Sequence, residues 1–143
     1  MAKMKPWFHA FTCACSALKL RHKEITMSID NVLASVAVKD LKVASAWYER
    51  LFGRPGNMPM PDLVEWKFAR GGWLQVYRLP ERAGQGSFTL AVSDFAAEIN
   101  KLAAMGLDTS KQSSDGKVKT VMVTDPDGNH IAFAEAADPT LAQ

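Results

Sequence analysis

Residues Val32 to Val38 alternate, with Val32, Ala34, Val36 and Val38 on one side and Leu33, Ser35 and Ala37 on the other. A period of two predicts a strand. Asp40 follows where a carboxylate can accept the free amide hydrogens of a helix start. Leu41, Val43, Ala44, Trp47, Tyr48, Leu51 and Phe52 then recur at helical spacing, and Gly53 can supply the left-handed residue that ends the helix. The same pattern returns later. Phe88, Leu90 and Val92 alternate against Ser87, Thr89 and Ala91, and Asp94 opens a helix with Phe95, Ile99, Leu102 and Met105 on its apolar face, closed at Gly106. Asp40 and Gly53 lie thirteen residues apart, Asp94 and Gly106 twelve. An internal repeat of this kind outranks local propensity. It predicts two strand–helix–strands modules, over 31–80 and 87–136.

The remaining stretches fill in the modules. Val64 to Phe68 and Trp73 to Leu79 predict a hairpin about Arg70-Gly71-Gly72. A two-residue turn there pairs Arg70 with Trp73, Phe68 with Gln75 and Trp66 with Tyr77. Directly opposed residues share a face, so Trp66, Phe68, Trp73, Gln75 and Tyr77 are expected together, with Leu74 and Val76 behind them. Glu65 and Lys67 then point away into solvent. Pro55 to Pro61 reads as a loop carrying Met58 and Met60, Pro80 to Gly86 as a hydrophilic linker, and Lys111 to Lys117 as a polar turn region. Thr120 to Thr124 and His130 to Ala134 read as a last hairpin whose turn is set by Pro126 and Gly128.

The chain has 143 residues, the size of one domain. The repeated unit places that domain over 29–137, with a loose tail over 138–143. Residues 1–28 read as an appended segment, helical from Ala10 to Arg21 or partly disordered, with Met27 as an alternative start. Lys3, Lys5 and the mildly apolar run after them also resemble a weak export signal. His9, Thr12 and Ser16 interrupt that run, no clean cleavage site follows, and no stretch is long enough to span a membrane. The expectation is therefore a cytoplasmic protein. A net charge of +2, with no alternation of cations and aromatics, argues against nucleic acid. Cys13 and Cys15 are the only cysteines, so no disulfide framework holds the repeated region. No phosphate-cradling glycine loop, Ser-His-Asp pattern or paired carboxylates are evident, and no cofactor is expected.

The segments VAVKDLKVASAWYERLFG, LAVSDFAAEINKLAAMG and VTDPDGNHIAFAE resemble the vicinal oxygen chelate superfamily, the glyoxalase/bleomycin resistance/dioxygenase fold, over Asp30 to Ala136. The resemblance implies an α+β fold of paired βαβββ modules, forming a curved mixed sheet around a cavity, and frequent homodimers. It also implies a metal ligand, usually His or Glu, on each of four strands. Those positions fall on Leu33, Gln75, Ser87 and Ala132. Leucine and alanine cannot ligate, and neutral amide or hydroxyl oxygens alone bind divalent ions weakly. The chain therefore resembles the metal-free branch, which includes bleomycin resistance and other drug-sequestering proteins.

The expected function is binding of a small apolar or aromatic molecule, such as an antibiotic. Trp66, Phe68, Trp73 and Tyr77 would stack it, with Gln75, Ser87 and His130 as polar contacts. His130, the one histidine of the repeated region, shares a face with Ala132 by alternation. It is the candidate acid–base residue for the competing reading, a metal-independent isomerase, lyase or epimerase. A third reading is a degenerate domain kept for protein interaction.

Overall fold

The computed structural model describes residues 29–141, and the readings made for 1–28 lie outside them. The duplication is realised in full. In module one, β1 (Leu33–Val38), α1 (Leu41–Phe52), β2 (Asn57–Met60), β3 (Leu63–Lys67) and β4 (Trp73–Arg78) follow in order. In module two, β5 (Ser87–Ala91), α2 (Phe95–Ala104), β6 (Gln112–Ser114), β7 (Val118–Thr124) and β8 (His130–Ala136) repeat the series. A short 3-10 turn over Pro80–Arg82 joins them. Each module makes a four-stranded mixed sheet, in the orders β1-β4-β3-β2 and β5-β8-β7-β6. The outer strand runs parallel to its neighbour (β1 with β4, β5 with β8), and the other pairs are antiparallel. The architecture is α+β with paired βαβββ modules. The expected enclosure is not formed among the described residues: the two sheets stay separate and are not closed around a cavity.

The helix ends follow the chemistry read from the chain. The Asp40 carboxylate accepts from the Lys42 and Val43 amides at 2.9 and 3.1 Å, and the Asp94 carboxylate accepts from Ala97 at 2.9 Å. Gly53 ends α1 in the left-handed region at φ 67°. Two expected loops are strands instead. Asn57–Met60 forms the opposite edge of the first sheet from β1, and Gln112–Ser114 the opposite edge of the second from β5. Both are exposed throughout and polar or proline-bearing, so no apolar alternation marked them; Pro59 is tolerated because an edge strand needs fewer ladder donors.

One side of each sheet is covered by its helix. Val36, Val38, Val64, Trp66, Leu74 and Val76 lie beneath α1 with Leu41, Ala44, Tyr48 and Leu51. Phe88, Val121, Val123, Ile131 and Phe133 pack with Leu102 of α2, and the two groups form one continuous core. Tyr48 and Phe88 meet across the junction, ring centroids 6.4 Å apart.

The Asp125–Asn129 turn does more than close a hairpin. Asn129 is fully buried; its Nδ2 donates to the Ala37 carbonyl at 2.9 Å and to Asp125 at 2.7 Å, and its Oδ1 accepts from Gly86 at 2.8 Å. Asp125 accepts in turn from the Tyr48 hydroxyl at 2.9 Å and from the Asp127 and Asn129 amides. Burial, reinforced by the negative charge of Asp125 and the hydrogen bond to it, pushes the Tyr48 phenol far above its ordinary pKa. These bonds tie helix α1 and strand β1 of module one to the turn of module two.

Candidate functional site

The helix-free sides of the sheets are the more open faces, with Ala37 and Leu63 beside Tyr77 buried on module one. On module one, strand registers bring Leu33 beside Trp73, Ser35 beside Gln75 and Ala37 beside Tyr77. On module two, Ser87 lies beside His130, Thr89 beside Ala132 and Ala91 beside Ala134, with Thr120 and Met122 on the next strand. Leu33, Gln75, Ser87 and Ala132, the four positions that the resemblance assigns to metal ligands, all fall on these open faces. Among the described residues, no three His, Cys, Asp or Glu side chains come together in a metal-binding group.

The β3–β4 hairpin corrects the expected pocket. Its closing pair is Lys67 with Trp73, not Arg70 with Trp73, so Trp66 opposes Leu74 and Glu65 opposes Gln75. The shift is three residues, an odd number, and an odd shift turns every side chain of the strand to the other face. Trp66 therefore lies fully buried under α1, 5.8 Å from Tyr48 and 5.5 Å from Phe52 between ring centroids, with Nε1 donating to the Arg54 carbonyl at 3.2 Å. Phe68 packs edge-on to Phe52 at 5.2 Å. It leaves the strand and opens a five-residue connection over 68–72, in which Phe68 N–H donates to the Gly72 carbonyl and Gly71 takes φ 92°. Burying two large aromatics against α1 outweighs the preference for a two-residue Gly-Gly turn.

The slip also moves charge onto the open face. Glu65 and Lys67, expected to point away from the site residues, join Trp73, Gln75 and Tyr77. Gln75 Nε2 donates to Glu65 at 3.3 Å, and Lys67 Nζ sits 5.5 Å from the Trp73 ring centroid. Trp73, Gln75 and Tyr77 are half-buried, with part of each side chain open. Of the seven expected ligand contacts, then, Trp73, Gln75 and Tyr77 share the open face of module one, and Ser87 and His130 share that of module two. Trp66 and Phe68 stand on the covered side.

His130 is exposed at the start of β8; its backbone amide donates to the Gly86 carbonyl at 2.9 Å. Its imidazole has no hydrogen-bond partner among the described residues. It lies near the Ala37 and Tyr77 end of the molecule, since the adjacent Asn129 binds the Ala37 carbonyl. The other end carries an open hollow of about 680 Å³ over module two. Thr89, Ala91, Ala134 and Ala136 line it, Leu141 of the tail borders it, and Arg70 reaches it from the module-one hairpin. Alternating small residues in β5 and β8 were the only sequence signal for this space. The contributions of Arg70 and of the tail depend on tertiary placement.

No family model matches the chain, and no curated protein does. Solved structures do. A glyoxalase/bleomycin resistance protein from Catenulispora acidiphila is 35% identical, with 74% of this chain aligned to 97% of that one and a TM-score of 0.67. The chain belongs to the glyoxalase/bleomycin resistance family. It is thereby a vicinal oxygen chelate protein, as the repeat and the closing hairpin implied. An antibiotic-binding protein from a Streptomyces species matches at 22% identity over 78% of this chain and 99% of that one, with a TM-score of 0.68. A lactoylglutathione lyase from Agrobacterium tumefaciens matches at 20% identity over 76% and 96%, with a TM-score of 0.63. The latter two share the family's fold, one named for binding and the other for catalysis.

Proposed function

We propose that this family member binds a small apolar or aromatic molecule on the open faces of its sheets, without a metal ion and without changing it covalently. The observation that carries the reading is the makeup of those faces. Half-open Trp73 and Tyr77 offer ring surface on module one, and alanines with Ser87 and Thr89 leave space on module two. Ring stacking and exclusion of water would supply the affinity, and Gln75, Ser87 and His130 the polar contacts. Metal independence rests on Leu33, Gln75, Ser87 and Ala132, a set with no strong ligand. The antibiotic-binding relative supports a sequestering role on this fold. The catalytic alternative has less behind it: no described side chain orients the His130 imidazole, and a general base works from a fixed position.

The functional unit would be residues 29–137, acting in the cytoplasm as a homodimer. A two-fold partner would cover the open faces, and closed two-fold dimers are the commonest soluble assembly. Calorimetric titration of the full chain with bleomycin and with the neutral fluorophore N-phenyl-1-naphthylamine tests the reading. Saturable binding of at least one of them, to protein free of metal by elemental analysis, is expected. Failure of both to bind overturns the binding function, and one tightly held metal ion per chain overturns its metal independence. A monomer mass by light scattering at micromolar concentration removes the dimer.

A further inference from the structure

We infer that the ligand of the module-two hollow carries an acidic group, and that Arg70 selects for it. The inference rests on the small-molecule reading above and adds a ligand class to it: an aromatic or apolar body bearing a carboxylate, sulfonate or similar anion. Arg70 is the one cation among the described residues that line the hollow. Its guanidinium makes no ion pair or hydrogen bond among the described residues. Of the two lining carboxylates, one is paired with a lysine outside the hollow, and the other is hydrogen-bonded within its own turn without a countercharge. Glu135 accepts from the Phe95 amide at 3.2 Å and pairs with Lys119 at 3.5 Å, and Asp138 accepts from the Thr140 amide and hydroxyl at 2.9 and 2.7 Å.

The hairpin that holds Arg70 is anchored at both ends. Phe68 is fixed against Phe52, and the Gly71 carbonyl accepts from Asn31 Nδ2 at 3.1 Å. The same three-residue shift that sent Trp66 beneath the helix leaves Arg70 in the connection, over the neighbouring module. Opposite it, Ala91, Ala134 and Ala136 give a low floor, while Thr89 and Ser93 offer hydroxyls. A guanidinium presents several N–H donors in a planar fork that matches an anionic group, and charge-assisted bonds are the stronger kind. The apolar body of the ligand would rest on the alanines, with its acidic end toward the hairpin.

A matched pair of probes tests this. 8-Anilino-1-naphthalenesulfonate and N-phenyl-1-naphthylamine share one ring system and differ in the sulfonate. The full chain should bind the anion more tightly, and added salt should reduce that preference. Arg70→Ala should weaken the anionic probe about tenfold and leave the neutral probe within about twofold. Arg70→Lys should restore part of the loss, and Arg78→Ala should change neither. Equal weakening of both probes by Arg70→Ala, or no weakening of the anion, overturns the inference while leaving small-molecule binding in place. If neither probe binds the unmodified chain, this inference falls, and the bleomycin titration alone then decides the binding function.

Discussion

The covered and open sides of the two sheets differ in kind. On the covered side the modules share one core, and module one supplies its aromatics: Tyr48, Phe52 and Trp66 pack together and reach Phe88 of module two. On the open side the modules diverge. Module one shows Trp73, Tyr77, Gln75, Glu65 and Lys67, and module two shows alanines, Ser87, Thr89 and His130. On the covered side both modules give apolar side chains to one core, and on the open side they differ in composition. Packing fixes volume and polarity at buried sites, whereas open positions are free of that constraint.

The largest test of that division is Trp66→Ala. Trp66 is fully buried among rings, and truncation leaves a cavity between α1 and β3. We expect a loss of about 3–5 kcal/mol in stability, read by denaturant melting. A loss under about 1 kcal/mol would mean that the covered side is not the structural one.

Asn129→Ala comes next. It removes the partner of the Gly86 amide and of the Ala37 carbonyl together, both at the module junction. Leaving two backbone groups unpaired should cost about 2–4 kcal/mol. If the modules are held mainly by the apolar core, the variant will instead melt close to the unmodified chain.

Much of the covered side was legible in the chain. Asp40, Gly53 and Asp94 mark helix ends, and alternation in β1 and β5 assigns faces, because backbone rules act within a few residues. The failure came at Arg70-Gly71-Gly72. Local turn chemistry favoured a tight hairpin there, while the deciding term was the burial of Trp66 and Phe68 against a helix more than ten residues earlier. β2 and β6 were missed because edge strands with both faces exposed have no apolar period. The contacts of Asn129 were missed for another reason: a DPDGN segment reads fully as a turn, and nothing in it names Ala37 or Gly86. Of the site, alternation put Thr89 and Ala91 on one face of module two, but the hollow over them needs the hairpin of module one.

Tyr48 offers a pH test of the junction. Tyr48→Phe removes the hydrogen bond to buried Asp125 and should cost about 2 kcal/mol at neutral pH. The native phenol has its pKa raised, so the folded chain resists ionisation that the unfolded chain accepts. The hydroxyl's contribution is therefore fully present below the ordinary phenol pKa of about 10 and lost as pH rises past it. Melting curves of the two proteins should converge above about pH 10. A constant difference through that range would show that Tyr48 ionises freely and does not hold the modules together.

The smallest expected effect is on Trp73, and it sharpens the comparison most, because the same side chain stands on both faces of one sheet. Trp66 has no exposed surface and meets Tyr48 and Phe52 beneath α1. Trp73 is half-open, with Lys67 near its ring and Leu33 beside it. Trp73→Ala should cost folding little, about 1 kcal/mol or less, since water already reaches much of the ring and no closed cavity is left behind. It should instead weaken bleomycin by about 0.5–1.5 kcal/mol, the worth of one lost ring stack. Trp66→Ala should do the reverse in any fraction that stays folded, keeping bleomycin affinity while losing stability. Affinity lost equally in both variants would mean that bleomycin enters the core, and that the open face of module one is not where ligands bind.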